Sequence, residues 1–162
     1  MRKSQSGFTL IELVVVIVIL GILGAIALPR FANMQAQARI AKMNGAMGAM
    51  RSASTMAHAL LIANNYGTAA SIDPANPDIN VEGTNVVYVN GYPNAASIAP
   101  LAGVTATDYV VATNGATTTI TPDANHGACT ITYTEAIAPV GNPLVYSPPA
   151  FADGGLIVDN CN

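Results

Sequence analysis

The chain predicts an α+β fold: a long N-terminal α-helix, half membrane-inserted and half packed on a small antiparallel sheet of about four strands, then a C-terminal loop tied by a disulfide. Three observations carry this. Phe8 to Leu28 is an apolar run with a single ionisable side chain, Glu12, closed by Pro29 and Arg30. At about 1.5 Å per residue it makes a helix of roughly 30 Å, the thickness of a bilayer's hydrocarbon core. Beyond it, Ile40, Met43, Met47, Met50, Ser54, Ala57 and Leu61 recur at spacings of three and four, which places them on one helix face. The remainder alternates short β-rich runs with turn chemistry and holds the only two cysteines, Cys129 and Cys161.

At 162 residues, the chain has room for one modest domain once the apolar run is set aside. Charged residues make up only 9% and Trp is absent, unlike a typical cytosolic enzyme. The formal charge of -3 understates the acidity of the later part: without residues 1–7, four basic side chains (Arg30, Arg39, Lys42, Arg51) face nine acidic ones. From Ser52 onward every charge is negative, so the globular domain carries no electrostatic footprint for nucleic acid.

Residues 1–7 are short, polar and positive through Arg2 and Lys3. Those charges stay on the cytoplasmic side and send the C-terminal domain across the membrane. No small-residue cleavage site follows the apolar run, so removal of the leader between Gly7 and Phe8, which keeps the hydrophobic helix, is the alternative. Residues 8–29 form the transmembrane and assembly helix. Within it Gly21 and Gly24 weaken the helix, Pro29 removes the hydrogen bond to the carbonyl of Ala25, and Gly21 with Ala25 also reads as a small-xxx-small packing pair. Residues 30–64 continue as an amphipathic helix, with Arg39, Lys42 and Arg51 mostly off the apolar face and available to acidic neighbouring subunits. Gly45 and Gly48 suggest a close backbone approach there, and Asn64-Asn65-Tyr66-Gly67 stops the helix.

Residues 65–162 hold a connecting loop over 68–81, then strand candidates at Val86–Val89, Tyr109–Ala112, Thr117–Thr121 and Cys129–Thr134. Asn90-Gly91 with Tyr92-Pro93 ends the first, Asn114-Gly115 signals a hairpin between the second and third, and Pro122 to Gly127 turns the chain before the fourth. Such close spacing favours an antiparallel sheet. After Glu135 the chain is rich in Pro and Gly and reads as loop. In an exported protein two cysteines suggest one disulfide, Cys129 to Cys161; two separate buried thiols are the alternative.

Gly7-Phe8-Thr9-Leu10-Ile11-Glu12, after a basic leader and before an unbroken apolar run, resembles the class III signal of type IV pilins and of type II secretion pseudopilins. The resemblance implies cleavage between Gly7 and Phe8 by a prepilin peptidase, N-methylation of Phe8, and storage in the inner membrane. It further implies assembly into a helical homopolymer by a platform, an ATPase and an outer-membrane secretin. Phe8, Thr9 and Glu12 would be the assembly residues, and Gly21, Gly24 and Pro29 would let the helix flex or extend. The layout of the whole chain resembles type IVa pilins, and Val89 to Pro93 and Cys129 to Thr134 resemble mannose-sensitive haemagglutinin pilins. Physically, cleavage creates an amine at Phe8, and its pairing with Glu12 between subunits neutralises two charges that are costly in hydrocarbon. A single-pass anchor whose Glu12 snorkels toward the headgroups is the alternative.

No enzyme chemistry is legible. His58 and His126 lie at no metal-ligand spacing, no phosphate-binding or nucleophile motif occurs, and neither a metal nor a cofactor is expected. Asp153, Asp159 and Asn160 raise calcium, but their spacing is not that of an EF-hand and solvated loop acids are the default. The expected function is a structural one: the major subunit of a type IVa pilus, localised to the inner membrane before assembly and to a surface fibre used for adhesion or biofilm attachment after it. A type II secretion pseudopilin and a membrane-anchored periplasmic binding protein are the alternatives.

Overall fold

The computed structural model describes residues 7–66, 80, 81, 83–140 and 145–162. Leader residues 1–6 and most of the connecting loop expected over 68–81 lie outside these. The expected helices over 8–29 and 30–64 form one element, α1 (Leu10–Ala63), 54 residues long and continuous through Pro29. Its end is set locally. Asn65 takes φ +61°, its N–H donates to the Ile62 carbonyl at 3.0 Å, and the Tyr66 N–H reaches back to the Leu61 carbonyl at 3.2 Å. That pair of bonds is a Schellman closure, with Asn supplying the left-handed residue.

The head begins with a hairpin of β1 (Tyr88–Val89) and β2 (Tyr92–Pro93). Its two-residue loop, Asn90 at φ +50° and Gly91 at φ +85°, needs two left-handed residues, which is why Asn-Gly stands there. A short helix, α2 (Ala95–Leu101), follows, capped by Asn94 accepting from the Ser97 N–H at 2.9 Å. Then come β3 (Val110–Asn114), β4 (Thr117–Thr121), β5 (Ile131–Thr134), β6 (Ile137–Val140), β7 (Val145–Ser147) and β8 (Ala150–Asp153). The main sheet is antiparallel in the order β3-β4-β5-β8, while β6 and β7 pair separately.

The sheet has four strands, as expected, but not the expected four. The run at 86–89 supplies only a two-residue strand to the separate hairpin. The fourth place is taken by β8, from the Pro- and Gly-rich region read as loop. Ala150-Phe151-Ala152-Asp153 is short, yet its register sets Phe151 opposite Tyr133, with the rings edge-on at 5.1 Å. One aromatic pair of this kind suffices to anchor a short edge strand.

The stripe on α1 is the spine of the core. Met43, Met50, Ala57 and Leu61 are fully buried, Met47 and Ser54 nearly so, and Ile40 packs at the margin. The N-terminal part of this stripe meets Ile98 and Ala99 of α2, Ile120 of β4 and Ile131 and Tyr133 of β5, together with Cys129 and Cys161. A second cluster forms where Ala57 and Leu61 meet Val81, Val86 and Tyr88. Polar groups at the seam are paired: Thr118 donates to the Ala95 carbonyl, Tyr133 to the Pro93 carbonyl, and the Ala95 N–H to Glu135 Oε1 at 2.6 Å. Burial pushes the Tyr133 hydroxyl well above its ordinary range, so it stays a donor.

Arg39, half-buried, and Lys42 and Arg51, both exposed, also contact the rest of their own chain. An Arg39 guanidinium nitrogen donates to the Cys161 carbonyl at 2.9 Å, and its Nε lies 3.6 Å from Asp123. Lys42 donates to the Asp108 and Pro122 carbonyls and sits 4.3 Å from the centre of the Tyr109 ring, and Arg51 covers Phe151. These contacts run from the helix to the first strand of the sheet, to the 122–127 turn and to the C-terminal segment. Gly45 and Gly48 are exposed and meet nothing within 4 Å, so no close approach inside the chain explains them.

Cys129 and Cys161 are bonded, with Cα atoms 4.8 Å apart and a sequence separation of 32, both fully buried. The bond ties the last turn of chain to the residue pair that leads into β5. On the chain-entropy account such a loop contributes about 3 to 4 kcal/mol. Replacing both cysteines by Ser is expected to lower the unfolding free energy of the detergent-solubilised chain by about that amount, read from denaturant midpoints. The Asp123 carboxyl is held below its ordinary value, chiefly by the hydrogen bond from His126 at 2.6 Å, with Arg39 adding to it. A depressed carboxylate contributes stability above the unfolded value near about pH 4 and loses it as pH falls through the folded value. Asp123→Asn should therefore flatten the acid limb of the stability profile below about pH 4, measured by chemical denaturation at a series of pH values.

Candidate assembly site at the tip of the long helix

The sequence places Thr9 and Glu12 three apart at the start of an apolar run, and α1 begins there. Thr9 is the N-cap in extended conformation, φ -80° and ψ 149°. Its hydroxyl accepts from the Glu12 N–H at 3.4 Å and donates to Glu12 Oε2 at 2.7 Å, while its own N–H donates to the same Oε2 at 2.9 Å. This is a capping box, which satisfies otherwise orphaned donors at the helix start. The negative side chain also sits at the positive end of the helix dipole. Thr-x-x-Glu is a readable signal for this cap, and sequence reasoning had read these two residues only for assembly.

The cap folds the Glu12 carboxylate back toward the chain's beginning, beside Gly7 and Phe8. Phe8 is almost wholly exposed, and the apolar side chains that follow, from Leu10 through Leu28, are exposed around the whole helix. Among the described residues α1 is the one helix long and apolar enough to cross a membrane, and none of its most apolar stretch is buried. Gly21 and Gly24 have open space where a side chain would project, so packing within the chain does not account for them. The structure thus brings Gly7, Phe8, Thr9 and Glu12 together in one turn and leaves Gly21, Gly24 and Pro29 spaced along a continuous helix. Cys129 and Cys161 lie in the head, whose first buried helix residue, Ala36, is roughly 36 Å along the axis from Glu12. Among the described residues no group of three or more His, Cys, Asp or Glu side chains is arranged to hold a metal ion. His58 stacks on Tyr92 with ring centres 4.1 Å apart, and its Nδ1 lies 2.7 Å from the Gly91 carbonyl.

Comparison with known proteins finds the same segment. The prokaryotic N-terminal methylation motif matches residues 2–28. Over 53 residues the chain is 45% identical to the type IV major fimbrial protein FimA of Dichelobacter nodosus, covering 33% of this chain and 34% of that protein. It is 55% identical over 52 residues to the type IV narrow pilus major component PilA5 of Thermus thermophilus, covering 32% and 45%. It is 46% identical over 55 residues to the type II secretion system core protein G of Pseudomonas aeruginosa, covering 34% and 39%. The chain therefore spans between about a third and a half of the length of these relatives. No solved structure matches it. Over about its N-terminal third this chain is similar to type IV pilus subunits and to a type II secretion core protein.

Loss of the cap is separable from loss of charge. Thr9→Val should fray the first turn and speed amide exchange at Glu12 and Leu13 by about fivefold, the equivalent of a cap worth ~1 kcal/mol, whereas Thr9→Ser should not. Glu12→Gln keeps a capping partner and is expected to leave that exchange nearly unchanged, which makes it the clean probe of the charge.

Proposed function

We propose that the chain is a structural filament subunit, the major pilin of a type IVa pilus, and that it has no enzymatic role. The observation that carries this reading is the apolar helix itself, whose tip holds a single capped carboxylate and whose sides are buried by nothing among the described residues. Cleavage between Gly7 and Phe8 by a prepilin peptidase would release an amine beside Glu12, and N-methylation would fall on Phe8. The subunit would wait in the inner membrane and be added to the fibre by an assembly platform and ATPase, with exit through a secretin. Phe8, Thr9 and Glu12 would register neighbouring subunits, and Gly21, Gly24 and Pro29 would let the helix lengthen in the fibre.

Similarity to two pilus major subunits supports a pilus. Similarity to protein G supports the second reading, a secretion pseudopilin. The Cys129–Cys161 bond favours the pilin over the pseudopilin. Adhesion or biofilm attachment is the proposed use, and the mannose-sensitive haemagglutinin type rests on the stretches at 89–93 and 129–134 alone.

Glu12→Ala and Glu12→Gln, expressed in a cell that assembles the chain, test this. Both variants are expected to give processed protein in the membrane with at least a tenfold loss of surface fibres by electron microscopy and shear yield. Ordinary fibres from either variant would refute the registration role, and a monomeric wild type would favour an anchored binding protein.

A further inference from the structure

Between the last residue of the apolar run, Leu28, and the first buried residue of the head, Ala36, α1 has a bare collar. Phe31 and Met34 are each 62% exposed, and Asn33, Gln35 and Gln37 are exposed beside them. Arg30 stands at its lower end. Of the cations in the described residues, Arg39, Lys42 and Arg51 contact the head, and Arg30 is the one without a partner among the described residues. The collar is therefore a helix face that is part apolar, part cationic and unpartnered.

The complementary charge lies on the rim of the same head. Lys42 draws the Asp108 backbone and Arg39 draws the Cys161 backbone against α1 one turn apart, so both segments sit at the lower edge of the head. The Asp108 and Asp159 side chains on these segments are exposed, and no cation in the described residues pairs with them. The contact of Arg39 and Lys42 with the head thus leaves an acidic rim above a collar with one free cation among the described residues.

The geometry points to the occupant of the collar being a second copy of this chain, with Arg30 of one subunit seated against Asp108 and Asp159 on the rim of another. This rests on the filament reading. If the Phe8 amine of one subunit meets Glu12 of the next, parallel helices are offset by four residues, roughly 6 Å. One such step brings Arg30 level with Met34 of a neighbour; two steps bring it level with Ala38, directly beneath Arg39 and Lys42. An arginine's long side chain spans the remaining distance, and its planar fork suits carboxylates. Phe31 and Met34 lose their exposure in the same contact. Registration would then be set at two heights, at the buried tip by Glu12 and at the collar by Arg30.

The test uses the full chain in a cell that assembles it. Arg30→Glu is expected to cut fibre yield at least fivefold while the processed membrane pool stays at wild-type level. Combining it with Asp108→Arg and Asp159→Arg is expected to restore at least half of that yield. In oxidised wild-type-like fibres, Arg30→Cys with Asp159→Cys or Asp108→Cys should give covalent multimers that reductant abolishes. Wild-type fibre yield from Arg30→Glu, or intact fibres with no cross-link at either rim position, would overturn the pairing and leave the filament reading standing. Depletion of the membrane pool by Arg30→Glu before assembly would also overturn it, since the collar would then be serving a lipid phosphate. Absence of fibres from the wild type would instead overturn the filament reading itself.

Discussion

The structure depends on one constraint: the first half of α1 is a hydrophobic surface that its own chain cannot cover. Leu10, Ile11, Leu13 and the residues through Leu28 are exposed on every side, and the head does not begin until Ala36. At about 25 cal/mol per Å² of apolar surface, a helix of this kind cannot remain in water, so it must be surrounded by lipid or by other copies. The second half of the same helix obeys the opposite rule. Its stripe from Met43 to Leu61 is narrow, and the sheet and α2 cover it completely on one side. A single uninterrupted helix therefore joins an intermolecular surface to an intramolecular one.

The head compensates for its small size and sparse charge with cross-links of several kinds. A modest domain with short strands has little apolar area to bury. The disulfide, the Arg39 contact to the Cys161 carbonyl and the Asp123 pair with His126 converge on the 122–129 segment and the chain's last turn. The disulfide joins these two segments, the Asp123–His126 pair closes the turn between them, and Arg39 holds both against α1. Arg39 and Lys42 thus serve the packing of the head as well as the helix surface.

What was legible in the sequence follows from whether the signal is local. The α1 stripe, the Asn114-Gly115 hairpin between β3 and β4 and the Asn65 stop depend on spacing or on left-handed φ, and each stands where it was read. The strand β8 was hidden because a four-residue strand flanked by Pro148, Pro149, Gly154 and Gly155 gains its stability from Tyr133 across the sheet, not from its own residues. The helix α2 was missed because seven residues make a weak period, although Asn94 was a usable cap signal. The contact of Arg39 and Lys42 with the head depends on partners some 66 to 122 positions away, which no window of sequence reveals.

On the proposed reading, one residue at the tip of the helix serves both the single subunit and the polymer. Capping its own helix and pairing with another chain at once make two demands on the Glu12 carboxylate. Its two oxygens divide the work. Both hydrogen bonds from Thr9, one from the N–H and one from the hydroxyl, go to Oε2. Oε1 has no in-chain donor among the described residues, and a carboxylate offers about four acceptor positions in all. The cap removes the side chain's rotational freedom before any partner arrives, so an incoming amine orders one group and not two. On the proposed reading, Thr9 is a positioning residue for Glu12, and the same two bonds that begin the helix present the remaining oxygen to the next subunit.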